Sequence, residues 1–211
     1  MVSDMGYPVV LDLEGKKVGI IGGGKVALKK AEKLLGCGAV LYVKAQDMHQ
    51  GFSKLEEIYQ ENLFLIRGSY TLEILDGCML VFAATSNPEL NEQIKRDCSS
   101  RNIFCNVVSD KDLSDFSNTA YFDRGKVQIS VSTNGASPKI ARDIKDYLEE
   151  NFNPKWEADV IKYGRIRDFI LKSKLKDAQK REKLKTLLDL KPEYWDFFFE
   201  AIRKEVHIDE N

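Results

Sequence analysis

A glycine-rich segment at residues 20–27, IIGGGKVA, restricts the fold of this chain more than any other feature. It fits the pattern G-x-G-x-x-A, directly after an apolar run and directly before residues 25–35, whose apolar side chains recur at helical spacing. Strand, glycine turn and helix in this order begin a dinucleotide-binding βαβ unit. We expect Gly22 to permit the turn, Gly24 to admit a diphosphate, and Ala27 to allow close packing of helix on strand.

The start of this helix is the expected cofactor site, because its amide groups and positive dipole end attract phosphates. The alternative is a glycine-rich turn that binds no ligand. The residues predicted to bind the dinucleotide, NAD, are Gly22, Gly23, Gly24, Lys25 and Val26.

The end of the second predicted strand leaves the choice between NAD and NADP open. An acidic residue about 20 positions after the glycine turn normally binds the adenosine ribose. Here the strand ends in Val43-Lys44-Ala45, and no acid follows until Asp47. Lys44 is a candidate for binding a 2′-phosphate, and a solvent-facing lysine is the alternative.

Strand-like and helix-like segments alternate through the first half of the chain, which predicts an α/β fold with a Rossmann-type parallel sheet. The run at residues 79–84, MLVFAA, is typical of a strand buried on both faces. Ligands bind outside the carboxyl ends of such strands. Ala84, Thr85 and Asn87 are therefore candidate cofactor residues, and a strand end followed by a helix cap is the compatible alternative. Further strands are predicted at 17–21, 40–43, 63–66 and 103–108, and helices at 25–35, 52–59 and 88–99.

After residue 108 the pattern changes to a polar loop, two antiparallel strands, and a helix that begins at Ser137-Pro138. The last part of the chain contains no convincing strand and is helix-rich and charged. The predicted domains are a dinucleotide-binding domain at 1–113, a small α+β domain at 114–152 and a helical domain at 153–211.

Composition limits the function classes. The net charge of −1 gives no basic field for nucleic acid or an anionic membrane, and no apolar run reaches the roughly 18 residues of a membrane span. Residues 1–8 lack the pattern of a signal peptide. The four cysteines form no C-x-x-C pair, so we expect reduced thiols in a cytoplasmic protein rather than disulfides or a metal site. His49 and His207 lie far apart, and no metal cage is predicted.

Several stretches together have the order and spacing of one family: Tyr7-Pro8, VGIIGGGKVALKKA at 18–31, FAATSNPELN at 82–91, NIFCNVV at 102–108 and ISVSTNGASPKIAR at 129–142. With them the chain resembles the precorrin-2 dehydrogenase family, the oxidase and ferrochelatase module of siroheme synthesis. The last stretch is more specific than the glycine turn, because generic Rossmann proteins lack it.

The resemblance implies NAD-dependent oxidation of precorrin-2 to sirohydrochlorin and, in some members, insertion of ferrous iron. It also implies a homodimer whose small domain exchanges elements between subunits, with the active site in the cleft between the domains. A bifunctional dehydrogenase and ferrochelatase is one alternative, and an NAD-sensing module without turnover is another. The aromatic residues Tyr194, Trp195 and Phe197–Phe199 of the last helices are either a docking surface or a buried core.

Precorrin-2 carries several carboxylates, so its site needs cations and helix N-termini. The alternative for the charged side chains is an ordinary solvated helix. The predicted substrate-binding residues are Thr133, Asn134, Ser137, Lys139 and Arg142.

The resemblance also singles out the residue after Asn106-Val107-Val108. The family usually carries a catalytic aspartate there, whereas this chain has Ser109 followed by Asp110. We predict that Asp110 is the proton acceptor or the metal-facing carboxylate if the loop shifts by one residue. If the loop does not shift, Ser109 occupies the site, which argues against iron insertion. An exposed loop aspartate without a catalytic role is the alternative. Asp112 and Asp115 are the fallback carboxylates in the same loop.

Overall fold

The computed structural model describes residues 6–208, and they divide into two compact units between Asn118 and Thr119. The predicted fold class is confirmed, since a parallel sheet with flanking helices precedes a small antiparallel sheet and a helical region. Residues 114–118 belong to the first unit. The division into three domains at 113 and 152 stays a prediction.

The first unit is a five-stranded parallel sheet in the order β3-β2-β1-β4-β5. The chain passes from β3 to the opposite side of β1, so that β1 and β4 flank the point where the strand order reverses. The elements are β1 (Lys17–Ile21), α1 (Lys25–Gly36), β2 (Val40–Ala45), α2 (Gly51–Ile58), β3 (Leu63–Arg67), a 3₁₀ helix (Leu72–Leu75), β4 (Leu80–Ala83), α3 (Pro88–Ser100) and β5 (Phe104–Val107).

Alternating side chains of the sheet form two hydrophobic cores, one on each face. Val18 and Ile20 of β1 pack with Ala27 and Ala31 of α1, all of them fully buried. The alanines leave room for α1 to lie directly on the sheet, as predicted for Ala27. Each large aliphatic side chain buried here contributes about 1.5–3 kcal/mol.

Strand β2 is two residues longer than the sequence pattern predicted. Lys44 and Ala45 pair with Ile66 and Arg67 of β3, so they lie inside the sheet and not after it. The prediction stopped at residue 43 because a lysine interrupts the apolar run. Pairing with the neighbouring strand extends β2 despite that charge.

The loop after β5 folds back along the outer edge of that strand. Asp115 Oδ2 accepts a hydrogen bond from the amide of Cys105 (2.8 Å), and the Asp115 amide donates to the carbonyl of Cys105 (2.9 Å). Ser114 Oγ accepts from the amide of Val107 (2.9 Å), and Lys95 pairs with Asp115. These bonds satisfy an edge that would otherwise expose backbone groups.

The second unit combines an antiparallel hairpin with four α-helices in the described residues. Helix α4 packs on both strands of the hairpin, and α5, α6 and α7 form a separate core around Ile170, Leu187 and Ile202. No helix of residues 6–208 is long and apolar enough to cross a membrane. The elements are β6 (Ala120–Arg124), β7 (Val127–Val131), α4 (Pro138–Glu150), α5 (Lys155–Lys172), α6 (Asp177–Asp189), a 3₁₀ helix (Pro192–Tyr194) and α7 (Trp195–Ile208).

The aromatic residues of the last helices divide between the two alternatives. Trp195 is buried and donates a hydrogen bond to the carbonyl of Leu190 (3.1 Å), while Phe198 and Phe199 pack partly buried against the same core. Tyr194 and Phe197 are 53% and 81% exposed. A buried core therefore explains only some of these aromatic residues.

The charge of Asp115 contributes to the stability of the β5 edge. Burial raises the pKa of this carboxyl, but its bonds to Lys95 and the Cys105 amide outweigh burial, so the pKa lies below its ordinary value of 3.8. We expect Asp115→Asn to lower the free energy of unfolding by about 1 kcal/mol at pH 7. Because the folded pKa is depressed, the difference from wild type is lost as the pH falls below 3.8.

Urea unfolding followed by far-UV circular dichroism, at pH 7 and at decreasing pH, measures this difference. Asp112→Asn is the control, because Asp112 is an exposed carboxylate in the same loop. Equal stability of Asp115→Asn and wild type at pH 7 would contradict the prediction.

Candidate active site

The glycine turn lies at the carboxyl ends of β1, β2 and β4 and touches the backbone of its neighbours. Gly22 has a φ of +125°, and a Cβ there would lie 2.3 Å from the carbonyl oxygen of Ala84. A Cβ on Gly23 would lie 2.1 Å from the carbonyl oxygen of Asp47. Both distances exclude any residue larger than glycine, so only glycines allow the backbone of this turn to pass between the ends of β2 and β4.

Gly24 differs from Gly22 and Gly23, because the position that its Cβ would occupy faces open space. A Cβ built on it meets no atom within 4 Å, although this glycine is the N-cap of α1. The first turn of α1 contains no acid, and no side chain caps it. Amides at the start of a helix have no intrahelical partner, so those of Lys25 and Val26 remain available to an anion. The residues present therefore fit a dinucleotide diphosphate.

The polar residues after β4 form hydrogen bonds with one another and with the start of α3. Asn87 Oδ1 accepts from the amide of Leu90 (3.1 Å) and caps α3. The Thr85 hydroxyl lies 2.7 Å from Oδ1 of Asn91, whose Nδ2 donates to the carbonyl of Thr85 (3.1 Å). The predicted helix cap is thus present, while cofactor contacts of Ala84, Thr85 and Asn87 stay predictions.

Asn91 supports the turn at the candidate site, and sequence reasoning missed it. It is only 2% exposed, and it holds the turn after β4 through Thr85. A polar residue on the buried face of α3, one turn after the Asn87 cap, was the available signal. Its three hydrogen-bond contacts to the turn explain how a buried amide is tolerated.

Lys44 is neither fully solvent-facing nor directed at open space. Its Nζ donates to Thr71 Oγ1 (2.7 Å), on the loop before the first 3₁₀ helix. A hydrogen bond from Thr71 lowers the pKa of Glu73, and the charge of Lys44 adds to this effect. The lysine therefore belongs to a small polar network at the ends of β2 and β3.

Asp110 closes the turn that follows β5. Its Oδ1 accepts from the amides of Asp112 (2.9 Å) and Leu113 (3.3 Å). Ser114 Oγ donates to the carbonyl of Asp110 (2.7 Å) and fixes the loop on the strand. Ser109 is exposed within this turn, directly beyond the carboxyl end of β5. The catalytic roles of Ser109 and Asp110 stay predictions, and both oxygens of the fallback Asp115 are engaged by Lys95 and Cys105.

The predicted substrate residues lie together in the second unit. Thr133 Oγ1 accepts from the Ser137 amide (3.2 Å) and donates to its carbonyl (3.0 Å), and Ser137 Oγ accepts from the Ile140 amide (3.2 Å). Asn134 adopts a positive φ of 53° in the preceding turn. Lys139 pairs with Asp143 (2.5 Å), so its charge is partly compensated, whereas Arg142 is exposed. Their contacts with substrate stay predictions.

Metal-binding residue types are dispersed. In residues 6–208 no group of three or more His, Cys, Asp or Glu side chains lies close enough to hold a metal ion. His49 Nδ1 accepts from the Gly51 amide (3.1 Å), and the His207 side chain lies outside the described part. The cysteines are free, with three buried and Cys37 exposed.

Two family models match the chain. A model described as NAD(P)-binding covers residues 9–120, and a model of the central part of a sirohaem biosynthesis protein covers residues 124–151. The fold and the glycine turn thus define an NAD(P)-binding protein of the Rossmann class. The chain belongs to this NAD(P)-binding family, and its resemblance to the precorrin-2 dehydrogenase and ferrochelatase family is confirmed.

Individual relatives agree with the family models. The chain is 32% identical to siroheme synthase of Chromobacterium violaceum over 84% of its length and 37% of the relative's. It is 31% identical to siroheme synthase of Salmonella typhi over 91% of its length and 39% of the relative's. The chain thus spans less than half the length of these relatives. The solved structure of SirC, a precorrin-2 dehydrogenase, has a TM-score of 0.75 at 25% identity and covers 94% of this chain and 99% of SirC.

The open side of Gly24 gives a direct test of the cofactor site. A methyl group there fits the protein but occupies the space next to the free amides of α1. We expect Gly24→Ala to change the free energy of unfolding by no more than about 1 kcal/mol and to weaken NAD binding at least about tenfold.

Isothermal titration calorimetry and urea unfolding measure the two quantities. Gly36→Ala is the matched control, because Gly36 is also open on its free side but ends α1. It should bind NAD like wild type. Unchanged NAD affinity in Gly24→Ala would mean that the diphosphate lies elsewhere.

Proposed function

We propose that this protein oxidises precorrin-2 to sirohydrochlorin with NAD in siroheme biosynthesis. The observation that carries the proposal is the unobstructed start of α1 at Gly24, in a chain that aligns along nearly its whole length with a precorrin-2 dehydrogenase. The reaction removes a hydride and a proton from the substrate: NAD⁺ accepts the hydride and becomes NADH, and the proton is released. Relatives named siroheme synthase support the same pathway.

The chain's own groups position the cofactor. The amides of Lys25 and Val26 bind the diphosphate, and Gly22 allows the turn to pack against the backbone of Ala84. NAD supplies the hydride acceptor when bound. Ala84 and Thr85, at the carboxyl end of β4, leave room beside β1 for the rest of the dinucleotide.

Asp110 receives the substrate proton in this proposal. The amides of Asp112 and Leu113 engage Oδ1, while Oδ2 accepts no hydrogen bond within the described residues. This anchoring gives the carboxylate a defined direction at the carboxyl end of β5. Ser109 is the adjacent hydroxyl that supports the same site.

The start of α4 binds substrate carboxylates in this proposal. The N-terminal amides of α4, the Arg142 guanidinium and the Lys139 ammonium are the donors, and the turn at Thr133 and Asn134 fixes their position. Arg142 matters more than Lys139, since Asp143 already compensates the lysine charge.

The protein acts as a homodimer in this proposal. Helix α4 is amphipathic, but on its apolar face only Ala141 is buried, while Ile140, Ile144 and Tyr147 are 53%, 42% and 64% exposed. An apolar helix face of this kind marks an interface. The proposal includes three domains, with the dimerisation domain at 114–152. It also includes a cytoplasmic location, with which the free thiols are compatible. It includes no nucleic-acid or membrane partner.

The activity is tested anaerobically with precorrin-2 and the purified chain. We expect NADH and the sirohydrochlorin spectrum to appear only when NAD is present. Ferrous iron is then added, and iron insertion above the uncatalysed rate would establish the ferrochelatase alternative in addition. Binding of NAD without any turnover would refute the dehydrogenase proposal and favour the NAD-sensing alternative.

The dimer is tested by placing a charge on the α4 face. We expect Ile144→Asp to raise the dimer dissociation constant at least about tenfold, because an interface would bury the carboxylate. Sedimentation velocity over a concentration series measures this. Leu188→Asp, on α6 at 72% exposure, is the control and should remain dimeric. A monomeric wild-type chain would refute the proposal.

A further inference from the structure

Two of the four cysteines lie side by side between α3 and β5, and neither takes part in the proposed reaction. Cys98 is in the last turn of α3, and Cys105 is the second residue of β5. Both are fully buried in the same hydrophobic core. The Cys98 thiol donates a hydrogen bond to the sulfur of Cys105. Two sulfur atoms in contact need little further movement to bond to each other.

The backbone of both elements keeps the two sulfurs together. The Ile103 amide donates to the carbonyl of Cys98 (3.0 Å), and Asn102 adopts a positive φ of 56° in the turn that leads from α3 to β5. Cys105 is fixed by Asp115, which bonds to its amide (2.8 Å) and to its carbonyl (2.9 Å). The contact between the thiols therefore follows from the path of the chain.

The two thiols differ in acidity in the way that a nucleophile and its partner should. The hydrogen bond from Cys98 lowers the pKa of the Cys105 thiol, burial opposes this effect, and the charge of Lys95 adds to the lowering. The same hydrogen bond, together with burial, raises the pKa of Cys98. Since the thiolate is the nucleophile in thiol oxidation, Cys105 reacts first and Cys98 remains a thiol.

We propose that Cys98 and Cys105 form a modification site, at which hydrogen peroxide oxidises the two thiols to a reversible disulfide between α3 and β5. The Cys105 sulfur attacks one peroxide oxygen, the O–O bond breaks, and a sulfenic acid and one water form. The Cys98 sulfur then attacks the sulfenic sulfur, the S–O bond breaks, and the second water leaves with the proton of Cys98. The two thiols lose two electrons in total, and one peroxide is reduced to two waters.

The end of α3 is the route by which peroxide reaches the pair. Cys98 lies two residues before the last residue of the helix, and the three residues that follow it, 99–101, are exposed. Terminal turns open at a much lower free energy than the core of a fold does. Opening of this one turn uncovers the thiols without unfolding the sheet, and the disulfide then ties the turn to β5.

The other two cysteines serve as internal controls. Cys78 is buried in the same core, but its Sγ donates to the carbonyl of Ile74 (3.1 Å), and burial raises the pKa of this thiol to about 11. Cys37 is exposed at the end of α1. A core thiol with a backbone partner and a surface thiol thus bracket the proposed pair.

Peptide mapping of the full chain before and after treatment with hydrogen peroxide tests the proposal. Trypsin cleaves after Arg101, between the two cysteines, and releases residues 97–101 and 102–111 as separate peptides from the reduced chain. From the treated chain we expect these two peptides cross-linked and lighter by two hydrogen atoms, and dithiothreitol should separate them. N-ethylmaleimide blocks the remaining thiols as the chain is unfolded for digestion, and circular dichroism checks that the chain is folded during treatment.

Three variants separate the pair from its neighbours. Cys37→Ser and Cys78→Ser should form the same cross-link as wild type, because neither sulfur takes part. Cys98→Ser should form none and should leave Cys105 as a sulfenic acid, which dimedone traps.

Two results would overturn the proposal. One is a folded, treated wild-type chain in which Cys98 and Cys105 are both still labelled by N-ethylmaleimide while Cys37 in the same sample is oxidised. The other is a cross-link from either peptide to the peptide of Cys78. Neither result depends on binding or turnover of a dinucleotide, so this inference and the proposed function are tested separately.

Discussion

The close approach of the glycine turn to the ends of β2 and β4 is the constraint on which the rest of the site depends. The backbone carbonyls of Ala84 and Asp47 occupy the space that side chains on Gly22 and Gly23 would need. This contact holds the turn against the ends of β2 and β4, while the position of a Cβ on Gly24, at the start of α1, is open. Gly22 and Gly23 thus pack against the neighbouring strand ends, and Gly24 leaves the first amides of α1 accessible to the proposed diphosphate.

The sequence predicted the elements that local patterns determine. The G-x-G-x-x-A segment, the apolar runs and the Ser137-Pro138 helix start each combine a backbone requirement with a side-chain preference, and the structure contains all of these elements. The end of β2 was wrong by two residues, because pairing with β3 outweighs the polarity of Lys44. The resemblance to one family came from stretches spread along the chain, which no single motif could supply.

What the sequence could not give is the use that each polar side chain makes of its hydrogen bonds. Thr85 and Asn87 were predicted as cofactor contacts with a helix cap as the compatible alternative, and Asp110 was predicted as a proton acceptor. In the structure each of them closes a turn or caps a helix. Asn91 and Asp115 gave no sequence signal of comparable strength, although they hold the turns after β4 and β5. Their partners lie across the loop or the strand, so they become visible only once the chain is folded.

Whether a polar group has a hydrogen-bond or ion-pair partner in the protein is a better guide to the site than its residue type. Lys44 satisfies its ammonium on Thr71, and Lys139 pairs with Asp143. The amides at the start of α1 have no comparable side-chain partner in the described part of the chain. Amides at a helix start with no capping side chain and no acid in the first turn are the donors that a phosphate can accept from. A dinucleotide diphosphate has the matching acceptors.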